Sequence, residues 1–444
     1  MDHTHCLAPS RRQSVGHVPL TPASYGRLFP DLAHFSADDA FLFALGRKGG
    51  LCDCQSDDDD DASLAREAAG WPFFGQFIAH DITADRSTIR HGVDPRELRN
   101  ARSPQLNLEC LYGDGPVGHP FLFQREDPAK LLLGTDGGDV QRNAEGTAII
   151  SDPRNDSHLF VSQMHLAFAR AHNAFVDDAR AGGVPENQLF ETAGRELRWH
   201  YQSIVTREFL PRLVGDNLTQ AVLAGDRRVY RPDGVAFIPL EFADAAFRYG
   251  HSQIRQRYQV NEQMPAVPLF PALIGFQPVP AARRVDWALL FDVSGRPAAQ
   301  RAKKIDGRLP GSLIALPAAI TGASETVEFH SLAVRDLERG EGVGLPSGEA
   351  VARALGEEPL TRHDIGADAA GWRGETPLWY YVLREADIRQ RGDRLGPVGG
   401  RIVTEVLIGL LSCDSTSVLH APAEWRPRAT LADLLTLDRP HHGQ

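Results

Sequence analysis

A glutamine, a histidine and an aspartate inside one apolar helical run, Trp71-Pro-Phe-Phe-Gly-Gln-Phe-Ile-Ala-His-Asp81, constrain this chain more than any other stretch. On a helix Gln76 and His80 lie four residues apart and share a face with Phe73 and Phe77, while Asp81 is turned about 100° from His80. One helix end can thus serve two sites. A lone histidine in an apolar run is more often a core residue bonded to a carbonyl. What raises this one above that reading is its company further along.

The 444 residues suffice for two or three average domains or for one large helical core. A formal net charge of −11 argues against a general nucleic-acid binder, which needs clustered Lys and Arg. Five scattered cysteines, Cys6, Cys52, Cys54, Cys110 and Cys413, do not read as a disulfide framework and suit a reducing compartment. Cys52-Asp-Cys54 is spaced too closely for a zinc hook. The first residues lack the apolar core of a secretory leader, and no run approaches a membrane span, so the expectation is a cytoplasmic protein without a membrane partner. Oligomeric state is not legible.

Taken in order, residues 1–40 read as an N-terminal arm, 41–430 as the catalytic domain and 431–444 as a tail. The acidic run Asp57–Asp61 reads as a solvated loop. Ser63 is expected to cap a helix through Asp81 with a kink at Pro72, and 85–155 to be loop-like. Within that loop, Ser103, Gln105 (through its carbonyl), Asn107 and Glu109 alternate as oxygen donors, a spacing that suits a hard cation as well as a half-buried strand. Apolar spacing predicts helices over 159–181, 190–213 (stopped by Pro211), 241–258, 376–390 and 398–412, with another cap at Ser347. Arg248 and His251, three apart, can approach one ligand. His165 and His172 read as structural. The expected fold class is mainly α: a large, single-domain helical fold with little β structure.

Six ordered blocks carry a resemblance: Phe74-Gly-Gln-Phe-Ile-Ala-His-Asp81, Asp152-Pro-Arg-Asn-Asp156, Ala171-His-Asn173, Arg198-Trp-His-Tyr-Gln202, Phe247-Arg-Tyr-Gly-His251, and Arg335-Asp-Leu-Glu-Arg-Gly340 with Gly344-Leu-Pro-Ser-Gly348. The chain resembles the animal haem peroxidase family (peroxidase–cyclooxygenase superfamily), in one of its bacterial branches. The resemblance implies a haem peroxidase that reduces hydrogen peroxide and oxidises a small donor, phenolic or aromatic, or a halide or thiocyanate. His251 matches the proximal iron ligand. His80 matches the distal acid–base group and Arg154 the distal cation, while Gln76 matches the residue that holds distal water or a halide. Arg248 and Arg339 match arginines near the haem propionates. Asp81, with Ser103, Gln105, Asn107 and Glu109, matches a structural calcium site.

Departures from the family pattern refine this. Relatives that bind haem covalently do so through carboxylates where this chain has Ala79 and Ser157, which implies non-covalent haem b. Asp336 replaces an asparagine beside the proximal histidine, and a carboxylate there makes the imidazole a stronger donor. Fatty-acid dioxygenases of the superfamily carry a tyrosine three residues before the proximal histidine. Arg248 stands there, favouring peroxidase over dioxygenase. A haem-binding protein with vestigial motifs is the rival of another class.

Overall fold

The computed structural model describes residues 23–56, 59–84, 98–322, 326–366 and 372–437. Asp57 and Asp58 of the acidic run, most of the N-terminal arm and residues 438–444 of the tail lie outside them. The architecture is mainly helical. Strands are confined to two small sheets: β1 (Ala23–Gly26) pairs antiparallel with β3 (Arg99–Asn100) and parallel with β4 (Ile238–Pro239), and β2 (Leu64–Ala68) pairs antiparallel with β5 (Arg301–Lys303).

The principal helices are α1 (Asp39–Gly46), α2 (Trp71–Ile82), α3 (Leu159–Ala181), α4 (Leu189–Ile204), α5 (Leu332–Gly342), α6 (Gly348–Leu355), α7 (Leu378–Gln390) and α8 (Pro397–Cys413). α3 forms where the apolar period places it, and it packs along α4 and against α2. Phe73, Phe74 and Phe77 of α2 are fully buried; Phe77 stacks on Phe168 of α3 at 4.7 Å and Phe73 lies 4.6 Å from Phe160. This packing fixes the rotation of α2. Gln76 and Ala79, with Thr83 just beyond the helix, are left as its partly exposed positions, four or fewer residues apart on one face.

Three expected elements differ. The helix expected from Ser63 begins only at Trp71, because 64–68 are taken into the β2–β5 pair; Pro72 then falls in the first turn, where a missing N–H costs nothing. Gly70 lies just before it, and a Cβ there would sit 2.3 Å from the Phe291 ring. The helix expected to stop at Pro211 continues through a π turn, Val205–Phe209, to Val214, the wider turn opening the ladder before the proline. The helix expected over 241–258 reduces to Leu240–Ala243 and a 3-10 turn, Ala246–His251. There the polar side chains are claimed by distant partners: the buried Glu241 carboxylate accepts from the backbone N–H groups of Leu28 and Phe29.

The described parts of the expected arm and tail join the core, through Tyr25, Leu28 and Phe29 at one end and Leu431, Leu434 and Leu435 at the other. Cys52, Cys54, Cys110 and Cys413 are free thiols. Among the described residues no helix is long and apolar enough to cross a membrane.

Glu405, fully buried on α8, accepts from the backbone N–H groups of Arg228, Val229 and Tyr230 and pairs with Arg401. Glu405→Ala strands several buried donors, and we expect a loss of roughly 3 kcal/mol, read as a lowered thermal midpoint.

Candidate functional site

α2, the 3-10 turn Pro153–Asp156 and the 3-10 turn Ala246–His251 converge on one region, with α2 packed against both turns. Each brings a side chain that the sequence singled out, and each of those is held by a buried partner.

His80, at the end of α2, is buried, and its Nδ1 lies 2.7 Å from Oδ1 of Asn155. The Asn155 amide nitrogen lies 3.2 Å from Nδ1 of His165. A carbonyl oxygen only accepts, so His80 carries its proton on Nδ1 and leaves the Nε2 lone pair free. Burial, reinforced by the nearby Arg154 cation, lowers the His80 pKa to about 3. The ring is therefore neutral and able to take a proton at physiological pH. Gln76, one turn earlier, accepts at Oε1 from Nε2 of His158, 2.8 Å away, so the amide is oriented. Burial likewise holds His158 neutral, its pKa lowered to about 3.

Arg154 is anchored by Asp152, whose Oδ1 accepts from Arg154 Nε at 3.0 Å and whose Oδ2 accepts from Nη2 at 2.7 Å. The same Nη2 donates to the carbonyls of His80 and Thr83, at 3.0 and 2.6 Å, satisfying acceptors that the end of α2 leaves over. No hydrogen bond engages Nη1 among the described residues. Burial works to raise the Asp152 pKa, but the Arg154 bond and charge overcome it and hold the carboxylate well below the usual range.

On the other side, His251 Nδ1 lies 2.5 Å from Oδ2 of the fully buried Asp336. Here too the partner only accepts, so Nε2 is the free, basic nitrogen of the ring. Arg248 Nη1 donates to the second Asp336 oxygen at 2.8 Å. Burial would raise the Asp336 carboxyl, yet His251 and Arg248 together keep it below its ordinary pKa.

Arg248 is held within the protein: it donates from Nε to the Ala243 carbonyl, from Nη1 to Asp336 and from Nη2 to Asp244. Arg339 Nε also lies near Asp244, at 3.1 Å. The residues expected to bind calcium are engaged with one another and with the backbone. Asp81 accepts from the N–H groups of Leu108 and Cys110; Asn107 Oδ1 accepts from Glu109 N; Ser103 Oγ donates to Glu109 Oε2; and Glu109 Oε1 accepts from Arg102. The described residues contain no cluster of three or more His, Cys, Asp or Glu that could hold a metal ion. Burial raises Asp81 to about 7, against the two backbone hydrogen bonds that favour its charge.

Sequence reading missed Asn155, Asp152, His158, Asp244 and Arg102 as parts of this region. Asp152 and Asn155 lie inside the quoted Asp-Pro-Arg-Asn-Asp block and were within reach. The pairing of Arg102 with Asp152 and the approach of Arg339 to Asp244 had no signal, because those partners are distant in sequence.

The helical fold is of the haem-peroxidase type, and in it His80 and His251 are each held at Nδ1 by a buried acceptor. The family model for animal haem peroxidase matches residues 92–271, which include Arg154 and His251 but not the α2 block. Peroxidase mlt-7 of Caenorhabditis elegans is 25% identical over 192 residues, covering 40% of this chain and 26% of its own. Probable oxidoreductase PXDNL of Homo sapiens is 32% identical over 178 residues, covering 38% and 12%. The chain thus spans 26% and 12% of the length of these relatives. In three dimensions it is similar to peroxidase A from Dictyostelium discoideum (TM-score 0.59, 15% identity, 91% of this chain and 89% of that one) and to Oryza sativa fatty acid alpha-dioxygenase (TM-score 0.65, 13% identity, 90% and 77%). Residues 92–271 thus carry the likeness to the animal haem peroxidase family, and the fold is shared with peroxidase neighbours over most of the chain.

Replacing Asp336 by leucine leaves Arg248 and His251 without their shared acceptor. A loss of about 3 kcal/mol in stability is expected, seen as a lower thermal midpoint than in Asp336→Asn.

Proposed function

We propose that this chain is a haem peroxidase, reducing hydrogen peroxide at the expense of a small donor. The observation that carries the reading is the pair of histidines, His80 and His251, each fixed at Nδ1 by a buried acceptor and each leaving Nε2 uncommitted. That donor set fits haem. A neutral imidazole whose Nδ1–H is held by a carboxylate is the usual form of an iron ligand, and His251 with Asp336 supplies it. The partly exposed line of Gln76, Ala79 and Thr83 on an otherwise buried helix supports a planar group beside α2. Ala79 and Ser157 offer no carboxylate for an ester, which supports non-covalent haem b.

Bound haem would supply the redox-active iron; the rest is the work of side chains. His80 Nε2 accepts a proton from peroxide and returns it to the departing oxygen, as a buried neutral ring can. Arg154 presents Nη1 as a fixed positive charge toward the developing negative charge on that oxygen, its other nitrogens being tied to Asp152 and to the end of α2. Gln76, oriented by His158, holds water or a halide next to His80. Asp336 makes His251 a stronger donor, and Arg248 on the same carboxylate moderates the effect by drawing away part of its charge.

The likeness to a fatty acid alpha-dioxygenase favours a second reading, an oxygenase acting on a fatty acid. Against it, the position three before His251 is Arg248, bound to Asp336, and not a tyrosine that could form a radical. No feature of the described residues selects the donor among phenols, halides and thiocyanate.

The test is the optical spectrum of the haem-loaded protein before and after one equivalent of peroxide, with oxygen uptake on linoleate as the parallel assay. We expect a rapid peroxide-dependent spectral change, slowed by 10²-fold or more in His80→Ala and no fatty-acid-dependent oxygen uptake. Haem inert to peroxide would point to a vestigial haem-binding protein, and oxygen uptake on linoleate to the dioxygenase. As a separate check on the proximal side, Asp336→Asn is expected to raise the Fe(III)/Fe(II) potential, measured by spectroelectrochemistry; an unchanged or lowered potential removes that role.

A further inference from the structure

Of the residues expected to bind calcium, Glu109 is engaged by one buried cationic side chain. Arg102 is 8% exposed and lies between two acidic partners on separate segments. Its Nη1 donates to Glu109 Oε1 at 3.2 Å and approaches the Glu109 carbonyl at 3.4 Å; its Nη2 donates to Asp152 Oδ2 at 2.8 Å and to the Ser151 carbonyl at 3.3 Å. Four oxygens from two segments therefore converge on one guanidinium. That is the arrangement by which a bound cation staples a loop, with the charge carried on the chain.

We propose that Arg102 is a built-in cation that takes the place of a structural metal, stapling the 103–109 loop to Asp152 and, through Asp152, positioning Arg154. The local chain of contacts runs Glu109–Arg102–Asp152–Arg154, then from Arg154 Nη2 to the His80 carbonyl. From the other end of the loop, Leu108 and Cys110 hold Asp81, the residue after His80, by their backbone N–H groups. Both routes end at the same turn of α2. A guanidinium suits the task because its planar fork meets two carboxylates and two carbonyls at fixed angles, whereas a divalent ion would need more oxygens than this loop leaves unspent. Assembly of the loop then needs no calcium. The role of Arg102 in the loop stands on the fold alone, while its role toward Arg154 rests on the peroxidase reading.

The experiment uses the full-length chain loaded with haem. Its thermal midpoint and ferric spectrum are measured after exhaustive chelation and again with 10 mM calcium chloride, and calorimetry follows calcium addition. The same measurements are made on Arg102→Met and Arg102→Lys. We expect the wild-type midpoint, spectrum and calorimetric baseline to be indifferent to chelation and to calcium. Arg102→Met should melt about 5 °C lower, with Arg102→Lys recovering more than half of that shift because it keeps the charge. A wild-type midpoint that falls on chelation and returns with calcium overturns the proposal, as does stoichiometric calcium binding. So do methionine and lysine variants that melt together, since shape and not charge would then be at work. The wild-type arm stands even where a variant does not fold. All of these readouts are independent of peroxide turnover, so they separate failure of this proposal from failure of the peroxidase reading. If the peroxidase reading holds, Arg102→Met should also slow the reaction with peroxide by about tenfold at unchanged haem content, and Arg102→Lys should restore part of it; an unaltered rate overturns the link to Arg154.

Discussion

A buried carboxylate between two guanidinium groups is the constraint on which the surroundings of His80 depend. Asp152 receives Arg102 on one side and Arg154 on the other, and it is 3% exposed while doing so. A carboxylate this well buried is tolerated only where charged donors meet both of its oxygens. Once it is in place, Arg154 has little freedom, and its Nη2 donates also to the carbonyls at the end of α2. The position of a cation and the direction of a helix are thereby set by one acid.

The opposite wall repeats the device with different residues. Asp336, fully buried, accepts from His251 and Arg248, and Asp244 holds the far end of Arg248. In both cases the group with work to do is polar and partly exposed, while the group that aims it is buried. The two histidines also share a logic: each has Nδ1 tied to an acceptor, so each is forced into the tautomer that leaves Nε2 basic. Yet the acceptors differ, a neutral amide for His80 and a carboxylate for His251. An anionic partner suits a ring that must donate electron density, whereas a neutral one leaves the ring free to gain and lose a proton.

Much of this was legible in the sequence. The long helix Leu159–Ala181 follows its apolar period, and Ser347 caps α6 as its position suggests. Pairs such as Gln76 with His80 and Arg248 with His251 were readable from spacing. What was not legible came from contacts between remote segments. Where a helix over 241–258 was expected, the Glu241 carboxylate is taken by the backbone of Leu28 and Phe29, far away in sequence. The alternating oxygens of 103–109 read as a cation loop because the sequence does not show that Arg102 turns inward on Glu109 and Asp152.

Local order and residue chemistry were thus the sequence's contribution: a mainly helical chain, an apolar helix carrying Gln76 and His80, an arginine just ahead of a long helix, and the blocks that mark the family. Tertiary structure alone decided which buried acid serves which cation, which nitrogen of each imidazole stays free, and that Arg102 bridges Glu109 and Asp152. The physical reason is that periodicity is a property of neighbours along the chain, whereas a buried charge takes whatever partner the packed core brings within about 3 Å, at any separation in sequence.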